Sequence, residues 1–93
     1  MSILTQAEEI INGDRARDYG STLDNFGRIA KMWSAILGVE VTPEQHVLCM
    51  VAVKMARLCN SPQHIDSIVD MAGYAGTYEK LLNERRMHGE KSA

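Results

Sequence analysis

Residues 42–76 read TPEQHVLCMVAVKMARLCNSPQHIDSIVDMAGYAG, and this stretch decides the fold. Thr42-Pro43-Glu44-Gln45 combines an N-cap, a proline at the first helical position and a glutamine at the capping-box position. The run that follows, HVLCMVAVKMARL, is apolar nearly all round a helix to about Leu58, which predicts a central, well-covered element. Ser61-Pro62 repeats the cap-plus-proline device and opens a fourth helix expected over 62–86. About three residues join the two, so they should form an antiparallel helical hairpin.

Working outward, Thr5-Gln-Ala-Glu8 has the form of a capping box for a short helix near 3–12 that Gly13 ends. Ser21 or Thr22 caps a helix over 22–37 that Gly38 closes. There Leu23, Phe26, Ala30, Trp33 and Leu37 recur at steps of three and four, making one apolar face. The tail, about 87–93, turns polar and should fray. No strand pattern, repeat or linker interrupts the chain. The expectation is therefore an all-α single domain over 1–93, four helices built on a central antiparallel hairpin.

Composition bounds the function. Of 93 residues, 45% are hydrophobic and 24% charged, which is globular rather than disordered. A net charge of −2 gives no reason to expect nucleic acid as a partner. No apolar run approaches the ~18 residues of a membrane span, and MSILTQAEEI lacks the basic start and apolar run of a secretory signal. Cys49 and Cys59 lack zinc-site spacing and read as reduced, buried thiols. The expected compartment is a cytoplasm. Helices this apolar in a chain this short should leave surface for a homo-oligomer.

Several polar residues break the pattern. Lys54 and Arg57 share a face of the third helix, and Asp66, Asp70 and Tyr74 form a stripe on the fourth. Folding about Asn60 should bring the four charges opposite one another. One reading is a pair of structural salt bridges. The other is a polar pocket floor that takes an anion through the bases or a metal through the acids. Gly73 and Gly76 each cost a helix interior roughly 1 kcal/mol, so helix packing or a flat ligand against bare backbone should offset them. His46 and His64, in the first turns of their helices, read as capping or surface residues.

The segment 13–20, GDRARDYG, holds more charge than a helix-to-helix turn needs. Arg15 and Arg17 can reach phosphates, Tyr19 can stack on a base or ribose, and Gly20 lets backbone approach a ligand. The plainer reading is a solvated turn whose charges pair locally.

DYG with Asn25-Phe26, TPEQ with the K-x-x-R helix, and HIDSIVDMAGY lie within residues 15–78. This span resembles a family of small uncharacterised bacteriophage proteins, which are in turn distantly similar to the MazG-like all-α nucleotide pyrophosphohydrolases. The resemblance implies an accessory protein of the infected bacterial host cell and a nucleotide-sized ligand at a helical bundle. The hydrolases hold Mg²⁺ between an E-x-x-E pair and a facing acidic pair. Here Lys54 and Arg57 stand where one acidic pair would belong, repelling a cation and neutralising Asp66 and Asp70. The expected activity is thus binding, and sequestration, of a nucleotide-derived signal such as a cyclic nucleotide or ADP-ribose derivative, with no catalytic residue and no cofactor. Its candidate ligand contacts are Arg15, Arg17, Tyr19, Gly20, Asn25, Lys54, Arg57, Asp66, Asp70 and Tyr74. Two alternatives stand beside it. One is a divergent Mg²⁺-dependent pyrophosphohydrolase using Asp66 and Asp70 as metal ligands, and the other is a structural or protein-interaction module.

Overall fold

A computed structural model describes residues 2–13, 21–87 and 89. Among them the chain is all-helical, with four helices and no strand: α1 (Ile3–Asn12), α2 (Thr22–Leu37), α3 (Pro43–Asn60) and α4 (Ile65–Met87). The expected frayed tail falls, Met87 and Gly89 apart, outside the described residues.

Local chemistry sets the ends. α1 has the bounds expected, but its cap is Ser2 rather than Thr5, the Ser2 hydroxyl accepting the Thr5 amide at 3.1 Å. Thr5 is itself in the first turn, its hydroxyl 2.8 Å from that of Ser2. At the other end, a β-carbon on Gly13 would sit 2.7 Å from the Glu9 carbonyl oxygen, so only glycine fits the exit. α2 is capped by Ser21, whose hydroxyl accepts the Asp24 amide, and closes on Gly38 in the left-handed region (φ 73°). Ser34 then accepts the Val41 amide at 2.8 Å and donates to the Ala30 carbonyl, folding the 38–42 connection back onto α2.

α3 carries both halves of the expected capping box, Thr42 and Gln45 each accepting the other's amide. It runs two residues past Leu58, and the second proline signal misleads. Pro62 lies in a turn closed by the His64 amide on the Ser61 carbonyl at 3.0 Å. α4 begins only at Ile65, where the His64 ring does the capping: Nδ1 accepts the Ser67 amide and lies 2.7 Å from the Ser67 hydroxyl. His64 is thus the capping residue anticipated, three residues beyond the anticipated cap.

The axis of the molecule is α4, which packs against all three other helices; α3 packs against α2 and α4 only. The core is Ala7, Ala30, Val47, Val69 and Leu81, with His46, Ser67 and Thr77 buried beside them. This corrects the expectation of a central α3, on which only His46 and Val47 are buried. α1 and α2 both lean on α4, so α3 is covered on one side alone. Cys49 and Cys59, expected to be buried, are both exposed because they lie on its open side. Leu37 is also exposed, at the last turn of α2. No helix is long and apolar enough to cross a membrane among the described residues.

Gly73 and Gly76 serve helix packing. A β-carbon at Gly73 would meet Ile11 Cγ2 at 3.8 Å and one at Gly76 would lie 2.5 Å from Ile11 Cδ1, so the bare backbone seats α1 against α4. Two long-range contacts fasten the frame. Glu44 takes Arg85 in a two-point ion pair at 2.6 and 2.9 Å, tying the start of α3 to the end of α4. The hydrogen bonds from Arg85 hold the Glu44 carboxyl below its ordinary pKa. The Glu84 carboxylate accepts the amides of Thr22 and Leu23 at 3.1 and 2.7 Å, satisfying the first donors of α2 from outside the helix.

Candidate functional site

A cavity of about 290 Å³ opens where the end of α1 and the start of α2 meet the middle of α3 and α4. Its α4 wall is Val69, Asp70, Gly73, Tyr74, Thr77 and Lys80, positions three and four apart and so one helix face. Opposite stand Ser21, Thr22, Asn25 and Phe26 of the α2 start, with Ile10, Ile11 and Lys54 completing the wall.

Two ammonium groups define its electrostatics. Lys54 Nζ is 2.9 Å from an Asp70 carboxylate oxygen; the Lys54 side chain is 19% exposed and that of Asp70 40%. Lys80 Nζ donates to the Ile11 carbonyl at 2.7 Å, capping the free C-terminal end of α1. Among the described residues each lysine is held by one partner, and an ammonium group carries three donors. Asn25, Thr22 and Ser21 add neutral polar groups, and Phe26 and Tyr74 add aromatic surface.

Four sequence candidates thus come together: Asn25, Lys54, Asp70 and Tyr74. Arg57 and Asp66 do not. Both are exposed, outside the cavity lining, and without an ion pair among the described residues. The turn at Ser61–His64, rather than Asn60, shifts the pairing of the two helices, so that Lys54 meets Asp70. Arg57, three residues on, is rotated outward. Arg15, Arg17, Tyr19 and Gly20 lie outside the described residues. Lys80 and Thr77 were missed although the signal was present: continuing the Asp70–Tyr74 stripe by further turns reaches both.

Behind the cavity wall lies His46. Expected at a surface or cap, it is 6% exposed, its ring 5.5 Å from Phe26 and edge-on to Trp33 at 4.6 Å between centroids. Its Nδ1 is buried without a hydrogen-bond partner among the described residues, and burial pushes its pKa down, so the neutral ring is the packed form. Phe26 touches this ring and lines the cavity as well. Among the described residues no three His, Cys, Asp or Glu side chains converge as metal ligands would. Asp70, the acid on the wall, already faces an ammonium group.

The model of a domain of unknown function, DUF6378, matches residues 2–82. The chain belongs to the DUF6378 family. It is 54% identical over 82 residues to the Gene 55 protein of Mycobacterium phage L5, covering 87% of this chain and 53% of that one. With the Gene 55 protein of Mycobacterium phage D29 it shares 39% over 83 residues, 89% of this chain and 55% of the relative. The chain therefore spans about half the length of the curated relatives it matches. No solved structure matches it. The DUF6378 match contains every residue that lines the cavity.

Proposed function

We propose that this DUF6378 domain binds a nucleotide-derived small molecule in the cavity among its four helices and holds it without turnover. The observation that carries the reading is the composition of that wall. Lys54 and Lys80 supply cationic donors for a phosphate, Asn25 and Thr22 supply neutral polar groups, and Phe26 and Tyr74 offer flat apolar surface for a base. Ligand sites commonly measure roughly 300–1,000 Å³, and at about 290 Å³ this one stands at the small end. Arg15, Arg17, Tyr19 and Gly20 belong to the same proposal on the sequence reading alone. The hairpin of α3 and α4, with the homo-oligomer expected around it, belongs to the same proposal.

Its use would be sequestration. The relatives are phage proteins, and a phage protein that retains a cyclic nucleotide or ADP-ribose derivative in the infected cell removes that signal from a host defence. A second reading, a divergent Mg²⁺-dependent pyrophosphohydrolase related to the MazG-like enzymes, draws support from Asp70 on the cavity wall, one turn from Asp66. Against it stands the Lys54 ammonium at 2.9 Å, which would compete with a metal for that carboxylate.

Heating the purified protein and analysing the released small molecules by mass spectrometry tests both. An intact nucleotide derivative, released equally from protein kept in chelator, is the expected result. Steady conversion of added nucleotide to product, dependent on Mg²⁺ and lost in Asp70→Asn, would establish the enzyme instead.

A further inference from the structure

α3 leaves one side bare. Leu48, Val53 and Met55 are 56%, 50% and 53% exposed, and Cys49, Ala52, Ala56 and Cys59 are exposed with them. Residues 49, 52, 56 and 59 step by three, four and three, the spacing that keeps side chains on one helical seam. The seam holds no charge: Lys54 points the opposite way, to Asp70, and Arg57 stands at its edge. Free cysteine is among the most buried residue types, so two exposed thiols on one apolar seam are out of place on a surface that meets water.

The seam also reads the same when reversed. Turned end for end about position 54, Cys49 falls on Cys59 and Ala52 falls on Ala56. Contact of i with j and of j with i is the condition for two-fold self-association. Antiparallel helices pair in that way, and alanines at the middle let backbones approach to the near end of the usual 8–10 Å. We propose that a second copy of this chain covers the seam, α3 lying antiparallel on its counterpart, with Cys49 beside the partner's Cys59.

A standard interface buries about 800 Å² on each partner, more than one helical seam provides. The antiparallel arrangement extends it. Val39, just before α3 and 62% exposed, and Ile65, just after it and 52% exposed, come to the same end of the pair from opposite copies. The contact leaves the cavity side of α3 free, so it holds whether or not a ligand binds.

Sedimentation of the full chain, with diamide oxidation, tests the proposal. Diamide takes two electrons and two protons from a pair of thiols, leaving a disulfide, so it links only cysteines that meet. The expected results are a dimer at micromolar concentration and a covalent dimer whose linked peptides join Cys49 to Cys59. In Cys49→Ser or Cys59→Ser, covalent dimer should fall at least tenfold, because each remaining thiol then faces serine. Ala56→Arg should give a monomer with an unchanged helical circular dichroism spectrum. A monomeric wild type, a dimer that survives Ala56→Arg, or cross-linking retained in both single-cysteine variants (the mark of parallel pairing) would overturn it. Should Ala56→Arg fail to fold, the two serine variants still decide.

Discussion

Lys54 is the residue on which the cavity turns, because it faces both Asp70 and the open space. Its ion pair is worth little to the fold: with the acid 40% exposed, solvent screening leaves about 0–1 kcal/mol. Lys54→Met keeps the apolar stem and should therefore shift the melting temperature little while weakening an anionic ligand. A charge-assisted contact is worth roughly 1.5–3 kcal/mol, about 10- to 150-fold in affinity. Two other residues make stability depend on pH, both in the same direction. Glu44 is held below its ordinary pKa by Arg85, so its contribution is present above the unfolded value and lost as pH falls through the folded one. Glu44→Gln should cost about 1 kcal/mol near neutrality, a difference that closes in acid below the ordinary carboxylate range. His46 is packed neutral, so the unfolded chain takes up a proton first and stability falls as pH drops below 6.5. His46→Phe should flatten the melting temperature between pH 7.5 and 5.5, whereas an equally steep profile would remove His46 from the account.

At the scale of the element, the start of α3 was fully legible, since Thr42, Pro43 and Gln45 occupy the positions their chemistry requires. Thr42→Ala should lower stability by about 1 kcal/mol, read by chemical denaturation. The start of α4 was not legible. Proline after serine signals a cap, yet the Ser61 carbonyl is taken by a turn and a histidine caps three residues later. That shift moved the pairing of α3 with α4 and left Arg57 and Asp66 outside the cavity. Gly73 and Gly76 separate packing from binding. At Gly73 an added methyl meets ordinary contact at 3.8 Å, so Gly73→Ala should stabilise α4 by roughly 0.5–1 kcal/mol through helix propensity. Because Gly73 also lines the cavity, the same change should weaken a bound ligand. Gly76→Leu should destabilise by about 1–3 kcal/mol, since its side chain enters the space of Ile11. A neutral result in denaturation would mean that α1 is not seated as described.

For the whole molecule, helix number and type followed from caps and periodicity, but the packing order did not. The most apolar helix reads as the centre of a single chain, whereas α3 is covered on one side and its thiols are exposed. Apolarity reports how much surface must be covered, not which chain covers it. The cavity was legible in part for a related reason. Asp70 and Tyr74 belong to a continuous α4 stripe that runs on to Thr77 and Lys80, while Ile11 and Thr22 reach the site only through the packing of α1 and α2. The central claim, that this cavity holds a nucleotide-derived anion, is tested most directly by calorimetric titration of mononucleotides, cyclic nucleotides and ADP-ribose in the presence of chelator, on the wild type and Lys54→Met. Saturable binding of at least one of them to the wild type is expected, weakened about tenfold or more in Lys54→Met. No binding across the panel, or binding equally tight in Lys54→Met, would contradict it.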